Sequence, residues 1–204
     1  MKISKLYAIT DRRLIQRSLG EDIEAAIKGG AGMIQLREKN ITKDEYVKAA
    51  KEALAVCRRY GVPLIINDSI EVCSVSGADG VHLGQGDGDP AYARRILGSG
   101  AIIGVTAKTP EQVKEACDAG ADYIGTGAVF GTSTKADALP MDRETLVYLT
   151  SLSKVPVYAI GGINAENINK LKGSGIYGAA VVSGIFSGDI TENARALRKA
   201  VEEL

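Results

Sequence analysis

Four glycines, each closing one run of residues and opening straight onto an apolar one, constrain this chain more than any other feature. They begin the segments Gly30-Ala31-Gly32-Met33-Ile34, Gly77-Ala78-Asp79-Gly80-Val81, Gly120-Ala121-Asp122-Tyr123-Ile124 and Gly175-Ile176-Tyr177-Gly178-Ala179. The spacings of 47, 43 and 55 residues are each about two strand–helix units, as in a fold built by repetition. A helix that ends at glycine and feeds a strand without a linker makes neighbouring strands parallel, because the helix itself is the return path.

The clearest unit lies at residues 63–87. Leu64-Ile65-Ile66 and Gly80-Val81-His82-Leu83 are too short for helices and read as buried strands. Between them, residues 70–76 form a short helix that Gly77 closes. In such a unit Asp68 and Asp87 both emerge at the C-terminal edge of the sheet, where α/β folds bind ligands. Two like charges in one mouth call for a cation between them, and two hard oxygen donors with room for water suit Mg²⁺ and a substrate phosphate. On spacing alone the other reading stays open: the two aspartates cap the helices that follow them.

The same pattern predicts strands over 6–9, 33–37, 64–66, 80–83, 102–105, 123–125, 155–160 and 177–182. Helices are expected over 22–28 and from the capping box Thr42-Lys43-Asp44-Glu45 to Gly61. Others follow Asp89-Pro90, run over 109–120 and 144–152, extend from Asn164 to 172, and fill 191–204. Eight strand–helix pairs in 204 residues predict an α/β chain with one domain, a TIM (β/α)8 barrel over residues 1–204. An open doubly wound sheet is the weaker option, since no GxGxxG turn follows the first strand.

Composition narrows the partners. Lys plus Arg equals Asp plus Glu at 25 each, so nucleic acid and anionic membranes are not expected and any anion site is local. Cys57, Cys73 and Cys117 show no CxxC spacing and read as small core residues in a reducing compartment. The opening MKISKLYAIT lacks the apolar run of a signal peptide, and a cytoplasmic protein is expected.

A barrel gathers its strand ends at one site. Gln35, Arg37 and Lys39 come from the second strand, alternating so that all three share a face. Asn67, Asp68, His82, Gln85 and Asp87 come from the third and fourth, Thr106 and Lys108 from the fifth. The loop after the sixth strand brings Gly131-Thr132-Ser133-Thr134-Lys135. Gly161-Gly162 and Ser183-Gly184 follow the last two strands; they suit a backbone phosphate cradle, or are simply structural turns. Cations beside a carboxylate pair suit a Mg²⁺-bound pyrophosphate. The lone histidine, at the end of a buried strand, reads as a hydrogen-bonded wall.

YAITDR, GxxxIQLREK, PLIINDS, GADGVHLGQGD, GADYIGTGAVFGTSTKADA and YAIGGINAEN, in this order, resemble the thiamine-phosphate synthase family from Leu6 to Ser183. The resemblance implies that Gln35 contacts an aminopyrimidine and that Arg37 and Lys39 bind its diphosphate. It implies Mg²⁺ on Asp68 and Asp87 with Asn67 beside them, Thr106 on the diphosphate, and Lys135 paired with the departing group. Thr132 and Thr134 would position a thiazole phosphate whose oxygens rest on Gly162 and the Val182-Ser183 backbone. The implied reaction is a transfer that joins pyrimidine methylene to thiazole nitrogen and releases pyrophosphate, with small heterocyclic phosphates as partners. The family is often dimeric, which leaves a homodimer open.

Four positions depart from the family pattern: Thr106 for serine, Lys108 for histidine, Ser69 for arginine and Asn40 for aspartate. The alternatives are a thiazole tautomerase-like paralogue, which uses a histidine at position 108, and a non-catalytic barrel that binds thiamine intermediates.

Overall fold

Both faces of the strands are apolar, so each strand must be covered twice, by the barrel interior on one side and by helices on the other. The computed structural model describes residues 3–131 and 141–204. It resolves that demand with β1 (Leu6–Ile9), β2 (Met33–Leu36), β3 (Leu64–Asn67), β4 (Gly80–Leu83), β5 (Ile102–Thr106), β6 (Tyr123–Gly127), β7 (Val157–Ile160) and β8 (Gly178–Val181). All pair in parallel and in sequence order, and β1 closes the barrel on β8 through Tyr7 opposite Ala180. The expected TIM-barrel architecture is the observed one.

Helices α1 (Leu19–Lys28), α2 (Lys43–Tyr60), α3 (Ile70–Ser76), α4 (Pro90–Leu97), α5 (Pro110–Asp118) and α6 (Arg143–Leu152) wrap the barrel. The short α7 (Ser183–Phe186) and the terminal α8 (Ile190–Val201) complete them. Local chemistry sets their ends. The Thr42 capping box is formed in both directions and contributes about 1 kcal/mol. All four glycines of the repeated module sit at positive φ, between +72° and +111°.

Two predicted elements differ. Helix α1 begins at Leu19 rather than at residue 22, because the Ser18 side chain accepts from the Glu21 N–H and starts it earlier. The helix expected from Asn164 to 172 is only a 3-10 turn, Ile168–Leu171. There the Asn164 side chain accepts from the N–H groups of Glu166 and Asn167, making a turn of its own, and Gly173 at φ +73° stops the chain. Helix α7 was not expected at all; four residues carry too little periodicity to be read.

Inside the barrel Tyr7, Ile9, Met33, Ile65, Ile102, Tyr123, Tyr158 and Ala180 form their own cluster. Tyr7, Tyr123 and Tyr158 meet edge to face with ring centroids 5.3–5.7 Å apart, a favoured aromatic geometry. The Tyr123 ring crosses the barrel over Gly104, where a Cβ would stand 2.1 Å from it. Tyr158 and Tyr177 donate to the carbonyls of Ser4 and Ile3 and tie down the N-terminal end. Tyr7 and Tyr123 point their hydroxyls the other way, toward the mouth.

Candidate active site at the barrel mouth

A cavity of about 310 Å³ opens at the C-terminal end of the strands, at the lower edge of the range for small-molecule sites. Gln35, Arg37, Lys39, Asn67, Asp68, His82, Asp87, Thr106 and Lys108 line one part of it. Gly161, Gly162, Val182 and Ser183 line the other. The expected convergence of strand ends is therefore present for these residues. Thr132, Thr134 and Lys135 lie outside the described residues, and the roles expected of them are not placed.

The aspartate pair is formed by backbone geometry. Asp68 follows β3 at φ +65°, a left-handed conformation that aspartate tolerates better than most side chains. Its N–H donates to the His82 carbonyl at 2.8 Å, which locks the turn to β4. Asp87 folds back on its own loop and accepts from the Gly84 N–H at 2.9 Å. Neither aspartate caps the following helix. Ser69 caps α3, accepting from the Val72 N–H, and Asp89 caps α4, accepting from the Ala91 N–H. The helix-cap reading is thereby overturned, and Ser69 acquires a local reason for standing where it does.

The two carboxyl groups hydrogen-bond to each other and divide their charge unequally. Burial, the hydrogen bond to Asp68 and the Asp68 charge push Asp87 above the usual carboxylate range. Burial also opposes charge on Asp68, but hydrogen bonds from Lys39, Asp87 and Asn67 hold it below that range. Lys39 Nζ donates to Asp68 Oδ2 at 2.5 Å. Two carboxylates can be fully charged here only with a cation between them. A set of two carboxylate donors, leaving the other positions to water and phosphate oxygens, fits Mg²⁺. Among the described residues no group of three or more His, Cys, Asp or Glu side chains forms an alternative metal cage.

Asp11 also belongs to the site, though its role was not anticipated. It is 3 % exposed, takes two hydrogen bonds from the Arg13 guanidinium, and accepts from Arg37 Nη1 at 3.3 Å. The Arg13 guanidinium hydrogen-bonded to it holds the Asp11 carboxyl below the usual carboxylate range. Arg37 is fixed at its backbone as well, where its N–H donates to Thr10 Oγ1 at 3.0 Å. Asp11 stands just past the C-terminal end of β1, and that position was the available signal. Tyr46 of α2 anchors the same rim from behind, bonding to the carbonyls of Leu36 and Asn67 at 2.8 and 2.9 Å.

The other part of the mouth is built on glycine turns. Gly162 sits at φ +63°, and a Cβ there would stand 2.3 Å from the Gly131 carbonyl oxygen. Its own carbonyl accepts from Asn167 Nδ2 at 2.8 Å. A Cβ on Gly184 would stand 2.2 Å from the Ile163 carbonyl oxygen, so these two turns pack against each other. His82 forms part of the floor between them and the charged side: its ring bonds to Tyr123 Oη at 3.1 Å and to Thr106 Oγ1 at 2.9 Å. The wall reading of this histidine holds.

Fold and site together define a (β/α)8 barrel whose ligand cavity is its mouth. Residues 6–185 match the thiamine monophosphate synthase family. The chain is 46% identical over 194 residues to a thiamine-phosphate synthase of Ruminiclostridium cellulolyticum, covering 94% of this chain and 92% of that one. It is 42% identical over 205 residues to a thiamine-phosphate synthase of Fusobacterium nucleatum, covering 100% of this chain and 97% of that one. Among solved structures, a thiamine phosphate pyrophosphorylase from Pyrococcus furiosus superposes with a TM-score of 0.89 at 38% identity, covering 98% and 96% of the two chains. The chain belongs to the thiamine monophosphate synthase family, a family of transferases.

Proposed function

We propose that this chain is a thiamine-phosphate synthase that condenses a hydroxymethylpyrimidine diphosphate with a thiazole phosphate and releases pyrophosphate. The observation that carries this reading is the two-sided mouth, with Asp68, Asp87, Lys39 and Arg37 on one side and glycine backbone on the other. One side suits a metal-bound diphosphate; the other suits a single phosphate held by N–H groups.

In this reading Gln35 meets the aminopyrimidine, while Arg37, Lys39 and Thr106 hydrogen-bond the diphosphate oxygens. Asp68 and Asp87, with Asn67 at hand, hold Mg²⁺. When bound, Mg²⁺ stabilises negative charge on the diphosphate. The methylene C–O bond breaks with its electron pair leaving on the diphosphate, and the pyrimidine ring stabilises the positive methylene. In this reading Arg37, Lys39 and Thr106 stabilise the charge that builds on the leaving group, a role the resemblance also gives to Lys135. The thiazole nitrogen then forms the new C–N bond, and its phosphate rests on Gly162 and the Val182-Ser183 backbone; positioning it is the role the resemblance gives to Thr132 and Thr134. Holding the two rings in line supplies the proximity contribution; bond formation requires no general base.

The chain has a single histidine, His82 on β4, so no imidazole stands at Lys108 to serve a thiazole tautomerase. A binding-only barrel has no need of a leaving-group site. Three free cysteines fit the reducing environment of a cytoplasmic enzyme, and among the described residues no helix is long and apolar enough to cross a membrane.

The test is a coupled pyrophosphate-release assay with both heterocyclic phosphates, with and without Mg²⁺. Release that needs both substrates and the metal is the expected result. Saturable product binding without release moves the assignment to a binding barrel.

A further inference from the structure

A continuous chain of hydrogen bonds runs under the mouth from Gln35 to Thr106. Gln35 Nε2 donates to Tyr7 Oη at 2.6 Å. Tyr7 Oη meets Tyr123 Oη at 2.8 Å, Tyr123 Oη meets His82 Nδ1 at 3.1 Å, and His82 Nε2 meets Thr106 Oγ1 at 2.9 Å. Five strands contribute to it: β1, β2, β4, β6 and, through Thr106 at its tip, β5. The phenols of Tyr7 and Tyr123 are fully buried, and burial pushes both well above the usual tyrosine range. They are neutral relays, each carrying one hydrogen.

Each link in such a chain dictates the next, because a hydroxyl has only one hydrogen to give. Gln35 donates, so Tyr7 turns its hydrogen to Tyr123. Tyr123 then turns its own to His82 Nδ1, which can accept only as the bare nitrogen of a neutral ring. The ring proton therefore resides on Nε2 and is donated to Thr106 Oγ1. Thr106, with its oxygen accepting from below, is left to aim its hydroxyl hydrogen into the cavity it lines. At the far end, one Gln35 amide N–H is spent on Tyr7, which fixes the amide's orientation and leaves its oxygen and its second N–H for the cavity it lines.

We infer that the Gln35–Tyr7–Tyr123–His82–Thr106 chain is a one-directional positioning device. It presets the orientation of the Gln35 amide at one end of the pyrimidine substrate and Thr106 as a donor at the other. The inference rests on the proposed synthase reading for the identity of those two ends. Space for the device is built into the barrel. Gly104 admits the Tyr123 ring, and a Cβ on Gly125 would stand 3.1 Å from His82 Cε1. The His82 and Tyr123 rings stack with centroids 5.5 Å apart. Tyr7, Tyr123 and His82 act through Gln35 and Thr106 and are positioning residues. A donor already aimed at the leaving diphosphate does not reorient as charge develops there, so its effect falls on kcat.

With only one histidine in the chain, long-range ¹H–¹⁵N NMR of the ring reads the tautomer without assignment. The expected result for the unliganded wild-type protein at neutral pH is the Nε2–H tautomer. The Nδ1–H tautomer, or a doubly protonated ring, reverses or breaks the chain and overturns the inference. Kinetics test its consequence. Tyr123→Phe keeps the ring and removes the relay; it should lower kcat about tenfold with thiazole-phosphate KM unchanged, and mix the His82 tautomers. In a Thr106→Val background the same substitution should cost almost nothing, as expected of residues acting through one another. Full tenfold loss in that background makes Tyr123 merely structural and overturns the inference. The tautomer is read without turnover, so an Nε2–H ring in a chain that releases no pyrophosphate defeats the synthase reading and leaves the hydrogen-bond direction standing.

Discussion

The two sides of the mouth hold negative charge by different means. Beside β1–β4, Arg37, Lys39, Asp68 and Asp87 are side chains held by other side chains, with Asp11 behind Arg37 and Asn67 behind Asp68. Beside β7 and β8, Gly161, Gly162, Val182 and Ser183 line the cavity, and in the proposed reading it is their main chain that holds the phosphate. Side-chain charge responds to metal, to protons and to its partners. Backbone donors respond to none of these; they depend on φ, ψ and the absence of a Cβ. A leaving group whose charge changes during reaction suits the first side, and a phosphate that is only held suits the second.

The largest expected effect lies on the charged side. Asp87→Ala should lower turnover by about 10²-fold or more, the scale of losing a group that stabilises developing charge. Its melting temperature should stay near that of the wild type, because Asp89 rather than Asp87 caps α4. Turnover of Asp87→Ala within a few-fold of wild type, measured by pyrophosphate release, would remove the charged half of the account.

Gly162→Ala should act on the opposite side. A side chain at φ +63°, aimed at the Gly131 carbonyl, strains the turn by about 1–3 kcal/mol. The expected outcome in steady-state kinetics is a roughly tenfold higher KM for the thiazole phosphate with little change for the pyrimidine diphosphate. Equal changes in both constants would erase the division between the sides.

Asp11→Asn keeps the shape of the buried side chain and removes the charge that anchors Arg37. A several-fold rise in pyrimidine-diphosphate KM is expected, with the thiazole constant unmoved. The same carboxylate gives a stability signature. Hydrogen bonds from Arg13 depress its folded-state range, so its contribution is complete above about pH 4 and is lost as pH falls through the lower folded value. The stability difference between wild type and Asp11→Asn, followed by circular dichroism in denaturant, should be full above about pH 4 and shrink as pH falls; a difference that grows toward low pH would mean the sign is wrong. Ser183→Ala should change either KM less than twofold, since the proposed cradle would use the N–H and not the hydroxyl.

The same division explains what could be read before the fold was known. Asp68, Asp87, Arg37 and Lys39 are visible as residue types, and their positions at the ends of short apolar runs suffice to bring them together. What was invisible was which group supports which: Asp11 behind Arg37, Ser69 relieving Asp68 of a capping role, and the phenols of Tyr7 and Tyr123 turned toward the mouth. Those facts depend on rotamers and on strand register, which residue spacing does not carry. The β7–β8 side was harder still, because its chemistry is backbone geometry. The Asn164 segment shows why: a capping residue before an apolar stretch predicts a helix, yet the turn its side chain makes and Gly173 downstream leave only a 3-10 turn.

The most direct test of a divided mouth is binding of each substrate alone to the wild-type protein, by titration calorimetry with and without Mg²⁺. The account predicts that removing Mg²⁺ weakens the pyrimidine diphosphate at least tenfold and leaves the thiazole phosphate within about twofold, a difference of roughly 1 kcal/mol or more. Equal dependence of both ligands on the metal would contradict it.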